Sequence, residues 1–131
     1  MRCYSLFRAA RLEEYGVTGY QYLYLTNICR APGVSQDELA EKLIFNKSSV
    51  ARQLANLEQN GFVERRRNEK DKRELLVFPT EKALRLLPII DRTVADFRKR
   101  ISSGLSETEW EELERLLNRV QENAKNAIEE K

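Results

Sequence analysis

The chain has 131 residues, 41% hydrophobic and 34% charged, with a net charge of +2. That length suits one domain with a modest core, and no run of about 18 apolar residues exists to cross a membrane. Histidine is absent, which removes the common triads, acid/base histidines and His-containing zinc sites, and no Gly-rich phosphate loop takes their place. No enzyme, cofactor or metal site is therefore expected. The opening "MRCYSLFRAARLEE" has no apolar h-region, so no signal peptide is expected. Cys3 and Cys29 do not make a disulfide framework, and a reducing cytoplasm is the expected compartment. Charge is unevenly spread: residues 46–73 carry net +4, whereas residues 105–131 carry net −4. A basic middle and an acidic end suit a lobe that faces nucleic acid, joined to a part that faces elsewhere.

In chain order, "SLFRAARLEEYG" reads as a short first helix ending at Gly16 in a glycine cap. "TGYQ" offers Thr18 and Gln21 as a capping box for a helix from Gly19 to about Arg30. Tyr20, Tyr24 and Ile28 fall on one side of it, with Tyr22, Leu25 and Cys29 on the other. A helix apolar all round belongs in the middle of a fold, and Cys29 reads as a core thiol. After "APG", "SQDE" is a second capping box, with Leu39, Ala40 and Leu43 as the apolar face of a short helix. Asn46 caps the next helix, Lys47 to Asn60, where Val50, Leu54 and Leu57 recur at helical spacing and Gly61 ends it.

"FVERR" and "ELLVF" then read as two strands of a hairpin around the charged run "RRRNEKDKRE". A long helix follows Thr80, with Pro88 expected to kink it. "SETE" opens a last helix whose Trp110, Leu113, Leu116, Leu117, Val120, Ala124 and Ile128 make a long apolar stripe. The order is α-α-α-α-β-β-α-α, mainly α with a small β-hairpin wing.

Two helices joined by a short turn and followed by a hairpin have the layout of a winged helix-turn-helix. The second helix must bury one face and leave the other for DNA. With Val50 at zero, Leu54 and Leu57 lie within about 40°, and Ser48, Arg52, Asn56 and Gln59 lie between about 160° and 240°. Ser49 lies beside them and Gln53 at their edge. These are side-chain types that read bases: Arg to guanine, Asn or Gln to adenine, Ser to either. Lys47 and the helix N-terminus suit phosphate contact. Such a polar face on a lone amphipathic helix would be ordinary; the basic hairpin next to it points to DNA.

The segment "VSQDELAEKLIFNKSSVARQLANLEQNGFVERRRNEKDKRELLVFPTEKA" resembles the core of MarR-family winged-helix transcriptional regulators, over about half the chain. "SQDELAEKL" is similar to the first helix of the reading unit, and "KSSVARQLANLEQNGFVERR" to the recognition helix running into the wing. "DKRELLVFPTEKA" is similar to the second wing strand and the start of the exit helix. The family often has glycine where Ala83 stands. Its Asp-x-Arg wing motif falls on Asp71, Lys72 and Arg73. The resemblance implies that Arg73 reaches the minor groove, that Asp71 orients basic side chains of the wing, and that Arg65, Arg66, Arg67, Lys70 and Lys72 touch phosphates or steer association. The expected DNA-binding set is Ser35, Lys47, Ser48, Ser49, Arg52, Gln53, Asn56, Arg65, Arg67, Lys70, Asp71, Lys72 and Arg73.

The resemblance further implies a single MarR-like domain over 1–131. Within it, 18–79 would form the winged helix-turn-helix lobe, and 1–16 with 80–131 the dimerisation helices of a homodimer. It implies a possible small-molecule effector held between the two parts, where Phe7, Tyr15, Tyr20 and Tyr24 could form the lining. By their spacing alone these aromatics read as core packing, which is the preferred reading. "CYSLF" is similar to the cysteine setting of peroxide-sensing relatives. Cys3 stands near the start, with no His or nearby lysine to lower its pKa, so redox sensing is not the preferred reading. The expected function is a dimeric, ligand-responsive repressor. It would be cytoplasmic and nucleoid-associated, would bind double-stranded DNA and no membrane, and would read a pseudo-palindromic operator with helix 47–60 in the major groove and wing 62–78 at the minor groove. The alternative is a winged-helix protein–protein module, an anti-regulator that does not itself read DNA; its signature would be an acidic or neutral wing, and this wing is basic.

Overall fold

The computed structural model describes Phe7 and residues 10–129. Residues 10–12 are helical and tighten into a 3-10 turn at Glu13–Tyr15. Gly16 closes the turn at φ 83°, its N–H bonding the Glu13 carbonyl, so the expected glycine cap is formed. Most of the rest of the expected first helix, and Cys3, lie outside the described residues.

Helix α1 spans Gln21–Arg30 and starts later than the sequence suggests. Gly19 adopts φ 55°, a left-handed conformation that cannot belong to a right-handed helix. The Thr18/Gln21 box forms in one direction only: the Gln21 side chain reaches back to the Thr18 N–H at 3.0 Å, while α1 has no side-chain cap. Pro32 and Gly33 lead into a two-residue strand, β1 (Val34–Ser35), which was not expected. Two residues are too few to carry a period-2 pattern.

Helix α2 (Gln36–Leu43) and helix α3 (Lys47–Gln59) are capped as expected. The Ser35 hydroxyl accepts from the Glu38 N–H, and the Asn46 side chain accepts from the Ser48 and Ser49 N–H groups. Strands β2 (Val63–Arg67) and β3 (Leu75–Pro79) form the hairpin, with Arg65 opposite Val77, and β1 pairs on the far side of β3. All pairs are antiparallel, in the order β1-β3-β2. Helix α4 (Glu81–Ile101) runs on without a break in helix through Pro88, and its start is capped by the Thr80 hydroxyl at 3.4 Å from the Ala83 N–H.

The chain divides into two compact units, one ending at Phe97 and the other starting at Arg98. The core of the first joins Leu25 and Ile28 of α1 to Leu39, to Val50, Leu54 and Leu57 of α3, to Phe62 and Val77, and to Ala83 and Ile90 of α4. Each large aliphatic in it gains about 1.5–3 kcal/mol from burial, so α3 is held by one face. The second unit holds helix α5 (Glu107–Glu129), opened by a reciprocal capping box between Ser106 and Glu109. None of the described residues of α5 is buried, and Leu113, Leu116, Leu117, Val120 and Ile128 are all exposed.

Candidate nucleic-acid interface

The turn that sets α3 against α2 is tight. Ile44 closes α2 in the left-handed conformation, φ 57°, its N–H shared between the Ala40 and Glu41 carbonyls. Asn46 then returns to an extended conformation and caps α3 through Oδ1, at 2.8 Å from the Ser48 nitrogen and 3.3 Å from that of Ser49. With Val50, Leu54 and Leu57 buried, Ser48, Arg52 and Gln59 are left exposed together on the opposite side, and Lys47 is exposed at the first position of the helix. Arg52 Nη2 lies 3.3 Å from the Ser49 hydroxyl, and Lys47 Nζ lies 3.7 Å from Asp37.

Gln53 and Asn56 are exposed but engaged. Gln21, buried at the start of α1, donates from Nε2 to Gln53 Oε1 at 3.2 Å and to Asn56 Oδ1 at 2.8 Å. Asn60 Nδ2 donates to the same Asn56 oxygen at 3.2 Å. Ser35 is a correction to the expected DNA-binding set. It is buried, and its hydroxyl serves the α2 cap, so it is withdrawn from the surface.

The wing carries a second correction. Residues alternate faces along β2, and Arg65 falls on the same side as buried Val63. Its backbone N–H and guanidinium both bond the Glu58 carboxylate at the end of α3, with an ion pair at 3.2 Å, and Nη1 reaches Gln36 Oε1 at 3.2 Å. Its side chain is only 20% exposed. Arg65 is thus a clamp between wing, α2 and α3 rather than a free phosphate contact. Arg66, on the outer side, pairs with Glu64 at 2.9 Å and lies over the Phe78 ring at 4.6 Å.

The tip is an organised loop. Arg67 Nη1 donates to the Lys72 carbonyl at 2.7 Å. Asn68 Oδ1 accepts from the Lys70 N–H at 3.0 Å, and Asn68 Nδ2 donates to the Glu74 carboxylate at 2.7 Å. Asp71 Oδ1 accepts from Arg73 twice, from its backbone N–H at 3.1 Å and its Nε–H at 3.2 Å. The Arg73 side chain is nevertheless 92% exposed. Lys70 and Lys72 are exposed beside it.

The four aromatics proposed for an effector pocket do not converge. Phe7 stacks on Phe97 at 4.7 Å between centroids, and Tyr15 faces a groove shared with Phe62, Lys82 and Arg85. Only Tyr20 and Tyr24 come together, against Phe45, in a cleft of about 270 Å³ that also touches Ser49 and Gln53 of α3. Tyr24 is buried, which raises its phenol pKa, while Tyr20 is exposed. Sequence reasoning missed Gln21, Gln36, Glu58 and Phe45, whose roles arise from contacts distant in the chain.

Residues 17–75 match the family model described as the MarR family. The uncharacterized HTH-type transcriptional regulator YybA of Bacillus subtilis is 33% identical over 85% of this chain and 74% of its own length. The structure of the transcriptional regulator SlyA superposes with a TM-score of 0.92 at 30% identity, covering 96% of this chain and 89% of that one. The chain belongs to the MarR family. A putative MarR-family regulator from Listeria monocytogenes, solved in complex with a 26mer DNA, is also similar: 30% identity, TM-score 0.89, 93% of this chain and 81% of that one. As a MarR-family protein the chain is a winged helix-turn-helix, DNA-binding transcriptional regulator and not an enzyme. Among the described residues no helix is long and apolar enough to cross a membrane.

Proposed function

We propose that the chain acts as a dimeric, ligand-responsive repressor in a prokaryotic cytoplasm, where it is nucleoid-associated and reads a pseudo-palindromic operator. Each subunit lays α3 in the major groove and the wing tip at the minor groove. The observation that carries this reading is the pairing of two surfaces: the exposed row Ser48, Arg52 and Gln59 on α3, with Lys47 at the helix start, and Arg73 aimed by Asp71 at the tip. Ser48, Ser49 and the α3 N-terminus suit phosphates or the first bases, and Arg52 suits guanine. Arg67, Lys70, Lys72 and Arg73 supply the charge that steers the wing. The resemblance of the Listeria protein bound to DNA supports the same docking.

The exposed stripe Leu113, Leu116, Leu117, Val120 and Ile128 on α5 supports a homodimer, with the helices flanking the reading lobe as its interface. Contiguous exposed apolar surface of this kind marks an interaction site. The cleft beside Tyr20, Tyr24 and Phe45 supports a small-molecule effector, because a ligand there would press on Ser49 and Gln53 of α3. In a two-fold dimer the half-sites lie about one helical turn, roughly 10 bp, apart. The test is to sequence the DNA retained by the purified protein from a fragmented genome and to footprint it. A pseudo-palindromic motif with a two-half-site footprint is expected; retention without a motif would overturn operator reading.

A further inference from the structure

We infer that Gln21 fixes the polarity of the base-reading face, holding the amide oxygens of Gln53 and Asn56 inward so that both residues offer DNA only hydrogen-bond donors. This inference rests on the DNA-reading function proposed above and adds to it a positioning residue and a predicted base preference.

The chain of hydrogen bonds begins at a group whose chemistry is unambiguous. The Thr18 backbone N–H can only donate, and it lies 3.0 Å from one atom of the Gln21 side-chain amide. That atom is therefore the oxygen, and the Gln21 NH₂ points the other way, into α3. Gln21 is 95% buried, so its two N–H donors need partners from the protein. They find them in Gln53 Oε1 at 3.2 Å and Asn56 Oδ1 at 2.8 Å. Turning either amide round would set NH₂ against NH₂ and leave a buried donor unsatisfied. Asn60 Nδ2, 3.2 Å from Asn56 Oδ1, fixes that oxygen from a second side.

The consequence is a change in what the face reads. An asparagine or glutamine that reads adenine uses its oxygen and its nitrogen together, accepting from N6 and donating to N7. Here the oxygens are turned inward onto Gln21 and the nitrogens remain outward. Two outward donors complement acceptors in the major groove: O6 and N7 of guanine, or O4 of thymine. The adenine preference expected from residue type alone is thus replaced by guanine or thymine.

Gln21→Glu tests this directly. A glutamate keeps an oxygen for the Thr18 N–H but replaces the NH₂ with a second acceptor. Gln53 and Asn56 must then turn their NH₂ groups inward and present oxygens outward, the exposed Asn60 amide turning with Asn56. In selection from random DNA, the wild type should enrich guanine or thymine at the positions that lose information in Gln53→Ala and Asn56→Ala. Gln21→Glu should move those same positions toward adenine or cytosine, on the order of tenfold in preference, and leave the positions read by Arg52 unchanged. Adenine at those positions in the wild-type motif, a motif to which neither residue contributes, or a folded Gln21→Glu protein with an unchanged motif would each overturn the inference. If Gln21→Glu does not fold by circular dichroism, Asn56→Asp tests the same polarity without touching the buried amide. Its outward oxygen should favour cytosine, and an unchanged preference would overturn the inference. A selection that enriches no motif at all would contradict the DNA-reading function itself and take this inference with it.

Discussion

Asp71 Oδ1 holds Arg73 by two bonds, one to its backbone N–H at 3.1 Å and one to its Nε–H at 3.2 Å, on a side chain otherwise open to solvent. The pair separates two accounts of a basic wing. If the wing only attracts phosphates, removing the Asp71 charge makes it more basic, and Asp71→Ala should bind DNA more tightly. If Asp71 aims Arg73, the same variant should bind more weakly. We expect weaker binding, by roughly threefold, because an ordered arginine loses less freedom on contact. Arg73→Ala should weaken binding to all sequences and reduce the salt slope by about 1. Fluorescence anisotropy over a salt series reads both.

Arg65 should behave differently from its neighbours. It is partly buried, with Glu58 and Gln36 as partners, so Arg65→Ala should lower stability by about 1–2 kcal/mol, solvent around the half-exposed Glu58 weakening the ion pair. The urea midpoint should fall while the salt slope of DNA binding stays unchanged. Lys70→Ala should do the reverse, changing the slope by about 1 with no change in midpoint.

Ile44 is a β-branched residue at φ 57° with its side chain about half exposed. Such a residue is strained in the left-handed region, where asparagine is tolerated. Ile44→Asn should therefore raise stability by about 1 kcal/mol in urea unfolding, because the exposed side chain has little apolar contact to lose. A lower midpoint would show that packing at this turn outweighs the strain.

The exposed α5 stripe predicts that Leu117→Glu with Val120→Glu yields a monomer by sedimentation velocity. Operator affinity should fall steeply, since each subunit then binds its half-site alone. A dimer that persists in this variant would move the interface elsewhere.

Burial and the nearby Asp91 carboxylate raise the Cys29 thiol pKa above its ordinary value, so less thiolate exists at a given pH. In a Cys3→Ser background, alkylation by iodoacetamide at pH 8 should be slower than that of a model thiol. It should speed up as pH rises through the elevated pKa.

Much of this fold was legible because its signals are local. The caps at Ser35, Asn46 and Ser106 act within three residues of chain, and the stripe Val50, Leu54 and Leu57 follows one helical period. What escaped sequence reading was non-local. Arg65 looks like any other wing arginine until the hairpin folds it onto Glu58, seven positions away, and Gln36, 29 away. Gln21 reads as half of a capping box, and only tertiary structure brings its amide to Gln53 and Asn56, 32 and 35 positions on. The α1 start was misplaced because Gly19 takes a left-handed conformation that residue type permits but does not require. Tyr15 and Tyr20 stand close in sequence yet face different grooves, as residues on either side of a turn do.

Selection from random DNA with wild type and Arg52→Ala in parallel shows whether the exposed face of α3 reads bases. The wild type should select a pseudo-palindrome with half-sites roughly 10 bp apart. Arg52→Ala should lose the preference for guanine at one position in each half-site and keep the others. An identical motif from both proteins, or no motif from the wild type, would contradict base reading by α3.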